Sequence, residues 1–133
     1  MRLRRPQGNS VVLAILRSPA HRLLSGIAVE LRYTGRRSGR PYAVPVQYAR
    51  EADRLVVVPQ DADAKTWWRN FRTPRPVTVR LAGRLREGTA RVIERDDPAW
   101  EAARQLYVRR WRRLANRVTG PVVEISLSGD PGR

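Results

Sequence analysis

From Ile27 to Glu94 apolar residues return at every second position, in short runs interrupted by glycine and proline, a pattern that only a succession of short β-strands satisfies. Ile27, Val29, Leu31 and Tyr33 alternate with Ala28, Glu30, Arg32 and Thr34, which predicts a first strand buried on one face. Tyr42, Val44, Val46 and Tyr48 alternate with Ala43, Pro45 and Gln47 in a second strand. Pro45 cannot donate to a ladder, so it marks an edge, a bulge or a corner. A short EAD connection leads to residues 54–59 (RLVVVP), whose valine run predicts a third strand covered on both sides and hairpinned to the second. Residues 77–81 and 84–94, joined at Ala82 and Gly83, read as a further hairpin. Residues 121–127 read as a last strand with Val123, Ile125 and Leu127 on one side.

The helical pattern lies on the flanks, apart from Thr66 to Phe71, which could make one or two helical turns broken before Pro74. Ser10 is placed to cap a short apolar helix that stops before Pro19; Ser18 caps a second short turn with Pro19 in its first position, closed by Gly26. Between these turns and the first strand the pattern divides the chain into a basic tail with short helices, residues 1–26, and a barrel-forming part, residues 27–133, of a single domain. Asp97 and Pro98 then open one long helix, in which Trp100, Ala103, Tyr107, Trp111, Leu114 and Val118 recur at three- and four-residue spacing; Gly120 and Pro121 stop it. About six strands with a helix only after the fifth predict a mainly β (α+β) fold, an antiparallel roll or barrel rather than a doubly wound sheet.

Composition narrows the chemistry. The 133 residues contain no cysteine and one histidine, His21, so a thiolate metal site, a cysteine nucleophile and a serine-histidine relay are all poorly supported and no metal site is proposed. Without disulfides, an intracellular and cytoplasmic setting is the expectation. The 27 basic and 12 acidic residues give a formal charge of +15, and every base except Lys65 is an arginine. Such a field draws polyanions: nucleic acid, anionic lipid or a phosphorylated small molecule. No apolar run approaches the roughly 20 residues needed to span a bilayer, although the arginine-flanked amino-terminal segment could lie on the inner face of an anionic membrane.

Two segments carry the site chemistry. Residues 34–41 (TGRRSGRP) join the first two strands. Their glycines permit a backbone that frees amides for an anion, Arg36, Arg37 and Arg40 supply guanidinium forks, and Ser38 adds a hydroxyl. An ordinary hairpin loop with solvated arginines accounts for the same spacing. Residues 65–71 (KTWWRNF) supply adjacent indoles, Trp67 and Trp68, beside Lys65 and Arg69; core packing explains one tryptophan better than the pair with Asn70. A basic loop and an aromatic wall together suit a large phosphorylated heterocycle.

The order of residues 31–50, 55–72, 77–84 and 121–127 resembles the deazaflavin-dependent nitroreductase or quinone reductase family, small split-barrel proteins related to flavin-binding split barrels. The resemblance implies a six-stranded antiparallel split β-barrel, the 8-hydroxy-5-deazaflavin coenzyme F-420 (with FMN less expected), and hydride transfer to a quinone or nitroaromatic acceptor. It implies that Arg36, Arg37, Ser38, Gly39 and Arg40 contact the phosphate and acidic tail. Val44, Pro45 and Gln47, with Val58, Pro59 and Gln60, are implied along the ring system, and Lys65, Trp67, Trp68 and Asn70 beside the coenzyme. Tyr48, Tyr107 and Trp111 are the candidates near the acceptor, with a homodimer as a further expectation. Two rivals stay open: a non-catalytic member of the fold that binds deazaflavin, another flavin or a lipid-like ligand, and, more remotely, a nucleic-acid-binding barrel.

Overall fold

The second strand organises the molecule. In the computed structural model, which describes residues 7–59 and 66–128, β1 (Ala28–Thr34) and β2 (Pro41–Glu51) pair from Thr34↔Pro41 to Ala28↔Gln47. Beyond Gln47 β2 changes neighbour, pairing from Tyr48 to Glu51 with β3 (Arg54–Val57). Pro45 therefore falls where β2 has β1 on one side and no paired strand on the other, and its missing amide costs no ladder bond. With β4 (Arg75–Leu81), β5 (Arg84–Ile93) and β6 (Val122–Leu127), the strands close into an antiparallel barrel in the order β1-β2-β3-β6-β5-β4. This is the mainly β barrel that the alternation predicts. Ala82 and Gly83, both with positive φ, make the tight turn between β4 and β5.

Burial on two sides explains the valine run of β3. Leu55 and Val57 join Val29, Leu31, Val79, Val123, Ile125 and Phe71 inside the barrel. Val56 points outward, where with Ala49, Ile93 and Val122 it is covered by Trp100, Ala103, Leu106 and Tyr107 of α2 (Trp100–Arg110). On another part of the wall α1 (Gln7–Leu16) rests on β1 and β2 with Leu13 and Leu16 buried.

The helices and the strand start differ from expectation in four places. α1 begins at Gln7, so Ser10 lies within it rather than capping it; no proline between the two stops the hydrogen bonding. Ser18 does cap the turn Pro19–Leu23, accepting from the Ala20 amide at 3.0 Å, but the turn closes at Leu24 rather than Gly26, through the Leu24 amide to the His21 carbonyl. β1 starts at Ala28, leaving Ile27 43% exposed, because the chain is still turning out of that short helix. The long helix is two pieces: α2 ends at Arg110, Trp111 leaves helical backbone at φ −120° and ψ 68°, and Arg112–Arg117 resumes as a 3₁₀ helix. The indole decides that break, since Trp111 Nε1 donates to the Tyr48 carbonyl at 2.9 Å and cannot also follow the helix.

Two carboxylates pin the outer wall. Glu30 is fully buried and accepts from Arg17 (2.6 Å), Arg32 (2.9 Å) and Arg80 (3.0 Å), joining the end of α1 to β1 and β4 at the seam that closes the barrel. Glu124 on β6 likewise holds Arg54 of β3 and, at 2.9 Å, Arg91 of β5. Burial alone would push the Glu30 carboxyl up, but the three guanidinium hydrogen bonds outweigh it and hold it at about 2, against an ordinary 4.5. A depressed native pKa adds stability that is complete above the unfolded value and disappears as pH falls through the native one. Glu30→Gln is accordingly expected to cost about 2–3 kcal/mol at pH 7, with the gap to the parent shrinking between about pH 4.5 and pH 2. Urea denaturation of both proteins across that range measures it; a gap independent of pH would refute the assignment.

Candidate functional site

The loop at residues 34–41 is a closed and ordered turn. Gly35 N donates to the Arg40 carbonyl at 2.9 Å and Gly39 N to the Gly35 carbonyl at 3.0 Å, while Ser38 Oγ accepts from Arg40 N at 3.1 Å. Gly39 has φ +70°, and a Cβ on Gly35 would meet Ser38 Oγ and the Tyr42 ring at 2.8 Å, so both glycines are structural requirements. The amides of Arg37 and Ser38 have no partner among the described residues, and neither do the guanidinium groups of Arg36, Arg37 and Arg40 have an ion-pair partner there. Consecutive free amides in a turn, next to unpaired guanidinium groups, have the chemistry that suits an anion.

The tryptophan segment reaches this loop through one side chain. Trp67–Phe71 forms a 3₁₀ turn in which Asn70 is buried; its Oδ1 accepts from the Arg36 amide at 2.7 Å and its Nδ2 donates to the Trp67 carbonyl at 2.8 Å. Between loop and turn lies a cavity of about 290 Å³ bounded by Arg36, Arg37, Ser38, Trp67 and Asn70, with Tyr33, Gly35, Tyr42 and Thr66. Tyr33 and Tyr42, register partners at the two ends of the loop, stack at 5.5 Å and 23°, and Phe71 closes edge-on against Tyr33. Burial first, then the neighbouring Tyr42, pushes the Tyr33 phenol up to about 12, so it is a neutral hydrogen-bonding group at any physiological pH. The two tyrosines were legible as strand residues but not as site walls; folding the hairpin about its loop is the signal that pairs them.

The remaining candidates separate. Gly39 and Arg40 sit on the exposed outer part of the loop. Trp68 is buried in the barrel core beneath the guanidinium groups of Arg69 and Arg72, at 5.4 and 5.2 Å from its ring, and does not line the cavity. Val44 packs inward; Pro45 follows on the unpaired half of β2; Val58 and Pro59 leave the end of β3 just where β2 and β3 part. Gln60 and Lys65 lie outside the described residues. Gln47 borders a second cavity with Trp111. Tyr48 donates from its hydroxyl to the Ser25 carbonyl at 2.5 Å, and burial raises its pKa. Tyr107 of α2 is buried against the barrel wall, its phenol pushed up to about 12 by burial. His21 is occupied, with Nδ1 3.0 Å from Ser25 Oγ and its ring against Gly83.

The fold is a small closed antiparallel barrel of the split-barrel class, with an arginine- and glycine-rich loop set against an aromatic turn. The model of the F420H(2)-dependent quinone reductase family matches residues 17–126, and the chain belongs to that family. It is an oxidoreductase of the deazaflavin-dependent kind, and the non-catalytic and nucleic-acid readings are not favoured. Among solved structures, an F420-H2 dependent reductase (FDR-A) is similar at 24% identity, covering 74% of this chain and 93% of that one with a TM-score of 0.61. A structure described as a domain-swapped dimer is similar at 20% identity, covering 86% and 98%, TM-score 0.63. HutZ, the heme storage protein of Vibrio cholerae, shares the fold at 11% identity, covering 86% and 92%, TM-score 0.62. No match was found among curated proteins.

Asn70 is the tie between the two segments, so its removal tests their coupling. Asn70→Ala is expected to destabilise the protein by about 1–3 kcal/mol, because it strands the Arg36 amide, and to speed hydrogen exchange at that amide. Exchange at Arg36 unchanged from the parent would show that the loop holds its shape alone.

Proposed function

We propose that the cavity between residues 34–41 and the Trp67–Phe71 turn holds the phosphodiester and acidic tail of the deazaflavin coenzyme. The chemistry of the donor set fits: two free amides, a serine hydroxyl and unpaired guanidinium groups answer a phosphate or carboxylate, and among the described residues no carboxylate borders the cavity. The observation that carries the reading is the Asn70 bond to the Arg36 amide, which fixes one side of the loop and leaves the next two amides open. Arg36, Arg37 and Ser38 bind; Trp67 and the Tyr33–Tyr42 pair orient the neighbouring heterocycle and exclude water. Pro45, Gln47, Val58 and Pro59, around the parting of β2 and β3, border the ring system in this reading, and Lys65 assists at the phosphate.

When bound, the reduced coenzyme supplies a hydride, so the protein needs no nucleophile of its own. The acceptor is a quinone or a nitroaromatic, and Tyr48, Tyr107 and Trp111 stand in different relations to it. Tyr107 is sealed in the core and Tyr48 is committed to Ser25, which leaves Trp111, half-buried beside a cavity, as the residue placed to touch an acceptor. Two looser proposals accompany this one. A homodimer is supported by the neighbour described as a domain-swapped dimer, and sedimentation equilibrium tests it. Peripheral contact of the amino-terminal segment with an anionic membrane is motivated by Val11 and Leu23, 57% and 75% exposed, and vesicle flotation tests it. No helix among the described residues is long and apolar enough to cross a membrane.

Fluorescence titration of the purified protein with oxidised coenzyme F-420 is expected to show saturable binding. Arg36→Ala and Arg37→Ala should each weaken it about tenfold, more at low salt than at high. Binding as tight as the parent's in both variants would remove the coenzyme from this cavity. Reduced coenzyme that stays reduced in the presence of every quinone tried would instead favour a carrier.

A further inference from the structure

The second cavity, about 740 Å³, lies where α2 breaks. It is bordered by Gln47 of β2 and by residues 109–114, which place four arginines, Trp111 and Leu114 around it and, among the described residues, no acidic one. Trp111 is held rigidly: its Nε1 donates to the Tyr48 carbonyl at 2.9 Å and the Arg110 guanidinium covers its ring at 3.9 Å. Arg110 is in turn fixed by the Gly26 carbonyl at 3.1 Å. Arg109 has only a loose, exposed contact with Glu51 at 3.8 Å. Arg112 and Arg113 are exposed and have no ion-pair partner among the described residues. A rigid indole floor with unsatisfied guanidinium groups around it answers a flat aromatic molecule that carries negative charge. Gln47, which borders this cavity, is one of the residues that the coenzyme reading puts along the ring system rather than at the phosphate; it lies five residues, about 16 Å, along β2 from Tyr42 and on the opposite face of the strand.

We propose that this second cavity is the acceptor site and that it selects anionic aromatic acceptors, quinones or nitroarenes bearing a carboxylate or sulfonate, over neutral ones. The inference rests on the coenzyme reading above and adds the charge of the substrate to it. A quinone reduced here takes the coenzyme's hydride and leaves as the hydroquinonate or, after one proton from solvent, as the hydroquinone, while the coenzyme is left oxidised. The arginines contribute no proton; they hold the acceptor's fixed negative group and favour the charge that builds on the reduced ring.

The test compares anthraquinone-2-sulfonate with the neutral 2-(hydroxymethyl)anthraquinone on the parent and on the double variant Arg112→Gln, Arg113→Gln, in which only exposed side chains change. Equilibrium dialysis without coenzyme reads acceptor binding directly, and kcat/KM with reduced coenzyme reads its use. The parent should prefer the sulfonate by at least about tenfold, and the double variant should lose most of that preference. Coenzyme titration of the same variant separates the two readings. A parent that shows no preference, or a variant that loses both anthraquinones equally, overturns the proposal while leaving the coenzyme site intact. A variant that loses coenzyme binding overturns it by making this cavity part of the coenzyme site. A parent that binds sulfonate as proposed but no coenzyme would overturn the coenzyme reading alone.

Discussion

The structure depends on β2 having two different neighbours. A strand that stayed on β1 for its whole length would leave β3 paired with β6 alone and the barrel open, and one that moved to β3 earlier would bury Pro45 in a ladder it cannot serve. Because the change comes at Tyr48, the half of β2 near the basic loop keeps an open side. The end of β3 diverges there, and the chain that follows it returns at Thr66 against the loop. The parting of two strands, rather than any inserted domain, makes the site.

Keeping the barrel closed while one seam is open requires reinforcement elsewhere, and the carboxylates provide it. The β1–β4 seam has only the short register Glu30↔Arg80 to Arg32↔Thr78, and Glu30 sits within it, bonded to arginines from α1's end, β1 and β4. Opposite, Glu124 ties β3 to β5 through β6, where β6 has strands on both sides. A buried carboxylate costs several kcal/mol to desolvate, and one or two guanidinium forks rarely leave a surplus. The forks on each carboxylate come from different elements, however, so removing the carboxylate loosens several of them at once. The arginine excess therefore has two roles: some arginines satisfy buried carboxylates, and others, those of residues 36–40 and 109–113, stand without acidic neighbours or nearly so.

Alternation at period two was enough to give the strands, because side-chain facing in a sheet depends only on parity. Val123, Ile125 and Leu127 face the core, and the valines of β3 are covered on both sides, as their pattern requires. Helical signals were less faithful where a tertiary bond competed: the spacing from Trp100 to Val118 is continuous, yet the Trp111 indole bond to Tyr48 takes the backbone out of the helix in the middle of it. At the site, Arg36, Arg37, Ser38, Trp67 and Asn70 could be picked out by residue type and do meet around one cavity. That Trp68 faces the core while Trp67 faces the cavity could not, since adjacent residues in a 3₁₀ turn point about 120° apart and the sequence does not say which is inward. Parity within strands is local information; which side of a turn meets the core is set by the barrel.

The break at Trp111 has a consequence that a continuous helix would not allow. Had α2 run on, Arg109, Arg112 and Arg113 would have shared one face at i, i+3 and i+4, with Trp111 turned about 200° from Arg109 onto the other side, so the indole could not have lain among them. Stopping the helix at a residue whose side chain is bonded to β2 gathers them on one side of an immobilised indole, next to the strand that also carries the basic loop. The same hydrogen bond thus ends the helix, seats an aromatic surface and concentrates positive charge beside it. Like charges so close together repel, and a fold does not bring them together without some return. Where no acid from the protein answers them, an anion from outside is the natural counterpart, which makes the cationic cluster itself the strongest physical reason to look for charge on the acceptor.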